Sequence, residues 1–179
     1  MLNSVLIAKL PTKHHKLFSI FIRRVQVATD HYRAAIDPIR QFSHELEAQK
    51  FGLYITALNN LEICVLNAHI ASCCGNSLLN LIGQRPSYTN NDGSDYDRLR
   101  RLNNRIKHFN EDIVAGTDIN TPMWITNDGL SCIDCDLSFD ELHEILNCAV
   151  TDCEGFSEGY FKDIMDLRNP ASNIPAEGL

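Results

Sequence analysis

The chain has 179 residues, 44% of them hydrophobic and 22% charged, which fits one globular domain of ordinary size with a sizeable core. Its net charge of −7 excludes a global attraction to nucleic acid, so any such contact needs a local basic patch; Lys13–Arg24 and Arg98–His108 are the two candidates. The seven cysteines, an odd number that includes the adjacent pair Cys73-Cys74, argue against a disulfide framework and for a reducing cytoplasm.

Val5–Leu10 is mildly apolar but short, and it runs into Pro11 without a small-residue cleavage site, so it does not read as a signal peptide. No apolar run approaches the roughly 18 to 20 residues of a membrane helix. The first helical signal is the stripe Phe21, Val25, Ala28, Tyr32, Ala35, Ile39, Phe42, Leu46, in steps of four and three. Pro38 falls inside it; because the stripe keeps its phase, a kink is expected rather than a break. Phe51–Cys74 is apolar on most sides and should be the most buried helix, with Cys64, Cys73 and Cys74 as small core residues. Gly75 reads as its stop signal, with a short helical turn to follow over Asn76–Ile82.

Gly83–Ser94, with Pro86, Asn90, Asn91, Asp92 and Gly93, reads as a loop, long enough to suggest mobility or function. Ser94 or Asp95 caps a third helix whose buried stripe is Leu99, Leu102, Ile106, Phe109 and Ile113, ending at Gly116. Met123–Thr126 and Leu130–Cys135 flank Asn127-Asp128-Gly129, a β-hairpin signal. Ser138-Phe139-Asp140-Glu141 is a capping box that opens the last long helix, carrying Leu142, Leu146, Ala149, Cys153, Phe156, Tyr160, Ile164 and Leu167 on one face. Gly155 and Gly159 weaken that helix or permit a close helix approach. The fold class expected is therefore all-α: a bundle of four to five amphipathic helices with a small β-hairpin inserted before the last one. It spans residues 1–168 as one domain, with a disordered tail over 169–179.

The third helix carries the one functional signal. Arg101, Asn104, Arg105, His108 and Asp112 share a face beside its apolar stripe. Arg101 and His108 lie two turns apart, about 10 Å along the axis. Arginine offers a planar fork for phosphate oxygens, and an imidazole moves protons near neutrality. Together they suit metal-independent RNA cleavage by the 2′-hydroxyl, with Asn103 or Asn104 orienting the hydroxyl or the phosphate. Arg98, Arg100, Arg105 and Lys107 would extend the RNA-binding surface. The spacing Arg101-x(6)-His108 in a late helix of a small bundle resembles the Arg-x(4–6)-His motif of the HEPN superfamily. That resemblance implies an all-helical, often dimeric protein. Many such proteins are endoribonucleases of toxin–antitoxin, defence or RNA-processing systems, and the motifs of two subunits meet in one cleft. It implies Arg101 on the scissile phosphate, His108 as the proton-transfer residue and Asn104 in support. It further implies RNA, a second copy of the chain and an antitoxin or regulatory protein as partners, with no cofactor and no metal. The family usually has a polar residue directly after the arginine; here Leu102 stands there, with Asn103 one place later.

The bland reading of the same helix pairs Asp97 with Arg101 and His108 with Asp112, each four residues apart, on an ordinary solvated face with Arg100, Asn104 and Lys107. A non-catalytic module that docks a protein partner or itself follows from it. Cys132-x2-Cys135, placed on the second hairpin strand, is half of a zinc knuckle, with His143, Cys148 and Cys153 as candidate partners. Cys148 and Cys153, five apart on a helix, point in different directions, so unligated thiols are expected instead. His14-His15, with Lys13 and Lys16, reads as a solvated helix start. Asp134, Asp136, Asp140, Glu141 and Glu144 read as carboxylates favouring the last helix's dipole. No P-loop, dinucleotide fingerprint or Gly-x-Ser-x-Gly elbow is present.

Overall fold

A computed structural model describes residues 12–42, 47–116 and 122–168. The segment at 5–10 and the expected tail at 169–179 lie outside the described residues, as do the surroundings of Gly159 and the side chains of Asp112, Ile113, Tyr160, Ile164 and Leu167. Helix α1 (Thr12–Phe42) runs through Pro38 without a break, as its unshifted stripe requires. Helix α2 spans Glu47–Leu81, α3 Asp95–Val114 and α4 Phe139–Arg168; strands β1 (Trp124–Ile125), β2 (Gly129–Ser131) and β3 (Asp136–Ser138) lie between α3 and α4. No helix among the described residues is long and apolar enough to cross a membrane.

Partners along α1 descend along α2 as the chain advances, which makes the two helices antiparallel. Phe21 faces Gly75, Arg24 donates to Asn67 at 2.8 Å, His31 bonds Asn60 at 2.8 Å, and the Phe42 ring sits 5.9 Å from that of Tyr54. Gly75 does not stop α2. A Cβ there would sit 3.5 Å from the Phe21 ring, ordinary van der Waals contact, so the ring packs against the helix at this point. The stop is Gly83, at φ +74°, where Gln84 N–H reaches the Leu79 carbonyl and Gly83 N–H reaches that of Asn80. That pair of bonds is the Schellman closure, and it needs a left-handed residue that glycine supplies without strain. The expected extra turn over 76–82 is simply the end of α2.

Two apolar clusters form the core. The larger joins Ala28, Ala35, Leu58, Leu61, Val65, Leu99 and Leu102 to Met123, Leu130, Leu137, Leu142 and Leu146, so the sheet is seated on all four helices. The smaller packs Phe18, Phe21, Val25, Ala71 and Leu78 against Phe156, whose ring meets Phe21 edge-on at 6.0 Å. Each fully buried leucine contributes about 1.5–3 kcal/mol, so the bundle is held by these two clusters rather than by helix propensity. Cys64 and Cys74 are buried among them, but Cys73 is exposed, against expectation. The seven cysteines form no disulfide.

The sheet has three antiparallel strands in the order β1-β2-β3, one more than the expected hairpin. Trp124 opposes Ser131 and Ile125 opposes Leu130; Leu130 also opposes Leu137. The cysteine pair therefore does not lie on a strand. Cys132–Cys135 is the turn between β2 and β3, closed by Cys132 N–H on the Cys135 carbonyl at 2.9 Å. β3 runs directly into α4 through the capping box: Glu141 N–H donates to Ser138 Oγ at 3.1 Å, and Ser138 N–H donates to Glu141 Oε2 at 2.9 Å.

Candidate functional site on the third helix

Helix α3 begins at a built cap. Ser94 Oγ accepts the Asp97 N–H at 3.2 Å, and Ser94 O accepts that of Arg98 at 2.9 Å. The preceding loop is pinned rather than loose. Asp92 accepts N–H groups of Thr89 and Ser94, and Asn91, at φ 64°, donates its N–H to Asp97 Oδ1 at 2.9 Å. Hydrogen bonds from Ser94 and Thr89 hold the Asp92 carboxyl down at about 2.

At about 100° per residue the cations of α3 divide over two sides. Arg100 and Lys107 lie toward α2. Arg100 closes on Asp97 through Nε at 3.0 Å and Nη2 at 2.8 Å, and reaches Asn91 Oδ1 at 3.0 Å. Asp97 is thus the partner of Arg100, three residues on, and not of Arg101 as expected. Its side chain is 3% exposed. Burial pushes its carboxyl up, but the Asn91 N–H and the Arg100 guanidinium outweigh that and hold it below the usual range. His69 of α2 sits on this side as well. Burial, then the charges of Lys107 and Arg100, push its pKa down.

Arg101, Arg105 and His108 form the second side, within about 60° of one another. Arg101 Nη2 donates to the Asp134 carbonyl at 2.7 Å and to its Oδ2 at 3.2 Å; Arg105 Nε donates to Asp134 Oδ1 at 3.2 Å. Two guanidinium groups therefore converge on one carboxylate of the β2–β3 turn. The Asp134 bond keeps Arg101 more firmly protonated than usual. Burial pushes the Asp134 carboxyl up, yet its bonds to Cys132, Arg105 and Arg101 bring it down overall. His108 Nδ1 bonds Glu111 Oε1 at 2.9 Å, with 55% of the histidine side chain exposed. The expected pairing with Asp112 involves a side chain outside the described residues. Arg101 and His108 share a face, but among the described residues they hold different carboxylates, Asp134 and Glu111.

The remaining predicted residues separate further. Arg98 is tied to Asp95 at 2.6 Å, to Glu141 at 2.5 Å and to the Gly93 carbonyl at 2.8 Å, so it braces α3 against the start of α4. Asn104 is half-buried and Lys107 exposed. Asn103, weighed beside Asn104 for orienting a ribose hydroxyl, is 0% exposed and lies within the core face. Among the described residues neither of its amide atoms has a hydrogen-bond partner. It cannot touch a substrate in this conformation.

Sequence reasoning missed Asp134 as the residue that organises this face, reading it as a carboxylate for the helix dipole. Glu141, read as a cap and as a carboxylate for the helix dipole, also takes Arg98. Asp134 and its arginines lie 29 and 33 residues apart, so no helical or strand spacing signals the contact. Comparison with protein-family models, with curated proteins and with solved structures finds no match for this chain.

Proposed function

We propose that the chain is a HEPN-like helical protein that acts on RNA through α3, with Arg101 and Arg105 on a phosphate and His108 as the proton-transfer residue. The supporting observation is the convergence of Arg101 and Arg105 on the Asp134 carboxylate at the surface. Two guanidinium groups around one anion, with 39% and 28% of their side chains exposed, form a fork that a phosphodiester can take over from the carboxylate. His108 lies one turn beyond Arg105, about 4.5 Å further along the axis. Its exposure leaves it open to a second copy of the chain, and the HEPN resemblance implies a composite cleft completed at a dimer seam.

In that cleft the 2′-oxygen loses its proton to an imidazole and attacks the phosphorus. The P–O5′ bond breaks, the leaving 5′-oxygen takes a proton, and the arginines carry the extra negative charge of the phosphorane. The products are a 2′,3′-cyclic phosphate and a 5′-hydroxyl. Such an activity fits a toxin or defence role held in check by an antitoxin or regulatory protein.

One observation favours a second reading, a non-catalytic module that docks a protein or itself. Each arginine of α3 already holds a carboxylate: Arg98 holds Asp95 and Glu141, Arg100 holds Asp97, and Arg101 and Arg105 hold Asp134. An RNA-cleavage assay in EDTA, on protein of measured oligomeric state, separates the two. Cleavage by the wild type that yields cyclic phosphate ends and disappears in His108→Ala supports the ribonuclease. Intact RNA in the presence of folded wild-type protein sinks it and leaves the module.

A further inference from the structure

The turn between β2 and β3 brings two thiols that the RNA reading does not use beside the Asp134 carboxylate that holds Arg101 and Arg105. Cys132 and Cys135 Sγ stand 3.3 Å apart, and Asp134 Oδ1 lies 3.3 Å from Cys132 Sγ. One ligand atom from each of the three residues falls within 4.8 Å of the other two. We propose that Cys132, Asp134 and Cys135 bind a zinc ion, with its fourth position turned to solvent.

Two thiolates on a tetrahedral zinc, each bonded at about 2.3 Å, sit roughly 3.8 Å apart. The thiols thus need to separate by only about half an ångström to take that geometry, whereas a disulfide would require them to close to about 2.05 Å. Two thiolates with a carboxylate suit zinc better than magnesium or calcium, which prefer an all-oxygen set. The outer side is open: Ile133 is 50% exposed and the Asp134 side chain 38%. A water completes the tetrahedron there.

The surroundings fit the charge of such a centre. Two thiolates, one carboxylate and a divalent ion sum to −1, and Arg101 and Arg105 already flank Asp134. As outer-shell donors they orient the carboxylate and offset that charge. The knuckle partners weighed from the sequence are engaged elsewhere. Cys148 lies on Glu144, His143 packs beside the Tyr32 ring, and Cys153 packs against the smaller core cluster. The ion would staple a sheet whose strands are only two or three residues long, and through Asp134 it would tie that sheet to α3. Binding forms two Zn–S bonds and releases the two thiol protons to solvent.

The test is titration of the reduced, metal-free full-length chain with Co²⁺ and Zn²⁺, followed by native mass spectrometry. One ion per chain is expected, with a thiolate-to-cobalt charge-transfer band and a melting temperature raised by zinc. Cys132→Ser with Cys135→Ser should abolish the band, and Cys148→Ser should leave it intact. Because Cys132 is buried, Asp134→Asn provides a variant that does not disturb the core. It should weaken zinc binding by at least about tenfold with the fold retained. Absence of stoichiometric binding to the folded, reduced wild type overturns the proposal. So does binding that survives in the Cys132/Cys135 double variant. Neither result depends on whether the chain cleaves RNA.

Discussion

Two buried polar residues on α3, Asp97 and Asn103, show how differently such groups act. Asp97 accepts from the Asn91 N–H and from two nitrogens of Arg100, so its charge is matched and the loop is bound to the helix. Truncating it takes the carboxylate from the Arg100 guanidinium, 19% of whose side chain is exposed and which keeps Asn91 Oδ1, and leaves the Asn91 N–H without its acceptor. Asp97→Ala should therefore cost about 3 kcal/mol in urea unfolding, within the range for breaking a buried pair. A loss below about 1 kcal/mol would mean that solvent replaces the carboxylate. Asn103 is the opposite case: its amide is fully buried and neither atom is matched among the described residues. An unmatched buried amide carries a desolvation cost of about 1–3 kcal/mol. Asn103→Leu, close in shape, should raise stability by roughly 1–2 kcal/mol. A loss of stability in the same unfolding assay would show that the amide has a partner in solution.

At the scale of elements, the ends of helices follow local chemistry that can be tested one residue at a time. The Ser138–Glu141 box satisfies two donors at the start of α4, and Ser138→Ala should cost about 1 kcal/mol by thermal or urea melts. Inside α4, a Cβ on Gly155 would meet nothing within 4 Å among the described residues, which give it no close helix neighbour. Gly155→Ala should stabilise the protein by about 0.5–1 kcal/mol; a lower melting temperature would mean that α4 is covered by another chain at that point. Features of this local kind were legible in the sequence: the stripe of α1 across Pro38, a cap at Ser94 or Asp95 that the structure assigns to Ser94, the capping box and the turn at Asn127–Gly129. What escaped is what local spacing does not encode. β3 is three residues long, too short for an alternation to register. Gly75 reads as a stop, yet α2 continues past it, with the Phe21 ring of α1 packed at that point, a contact 54 residues away in sequence that local spacing does not signal. The face of Arg101, Arg105 and His108 was legible as a face because helical periodicity fixes it. Its partner Asp134 was not, because that contact depends on how the sheet seats against α3.

For the whole molecule, the buried ionisable groups make stability depend on pH in two stages. His69 has a depressed pKa, first from burial and then from Lys107 and Arg100, so the unfolded chain binds its proton more tightly than the folded one. The fold is unaffected above the unfolded histidine pKa and loses stability as pH falls below about 6.5. Asp97 and Glu141 are also depressed: burial raises each, but hydrogen bonds and arginine partners outweigh it. Their contribution is intact above the unfolded carboxyl range, about 4, and is lost as pH drops through their folded values. Glu62 and Asp152 are raised by burial and act in the opposite sense, gaining stability as they protonate. Absolute pH profiles therefore mix signs, and a comparison between variants isolates each group. Urea unfolding of wild type and His69→Gln at about pH 7.5 and about pH 5.5, either side of the histidine range, should give a larger loss on acidification for the wild type. Whatever the substitution costs at neutral pH cancels in that difference. Equal losses in the two proteins would mean that His69 is as easily protonated folded as unfolded, and that the Arg100–Lys107 side of α3 does not press on it in solution.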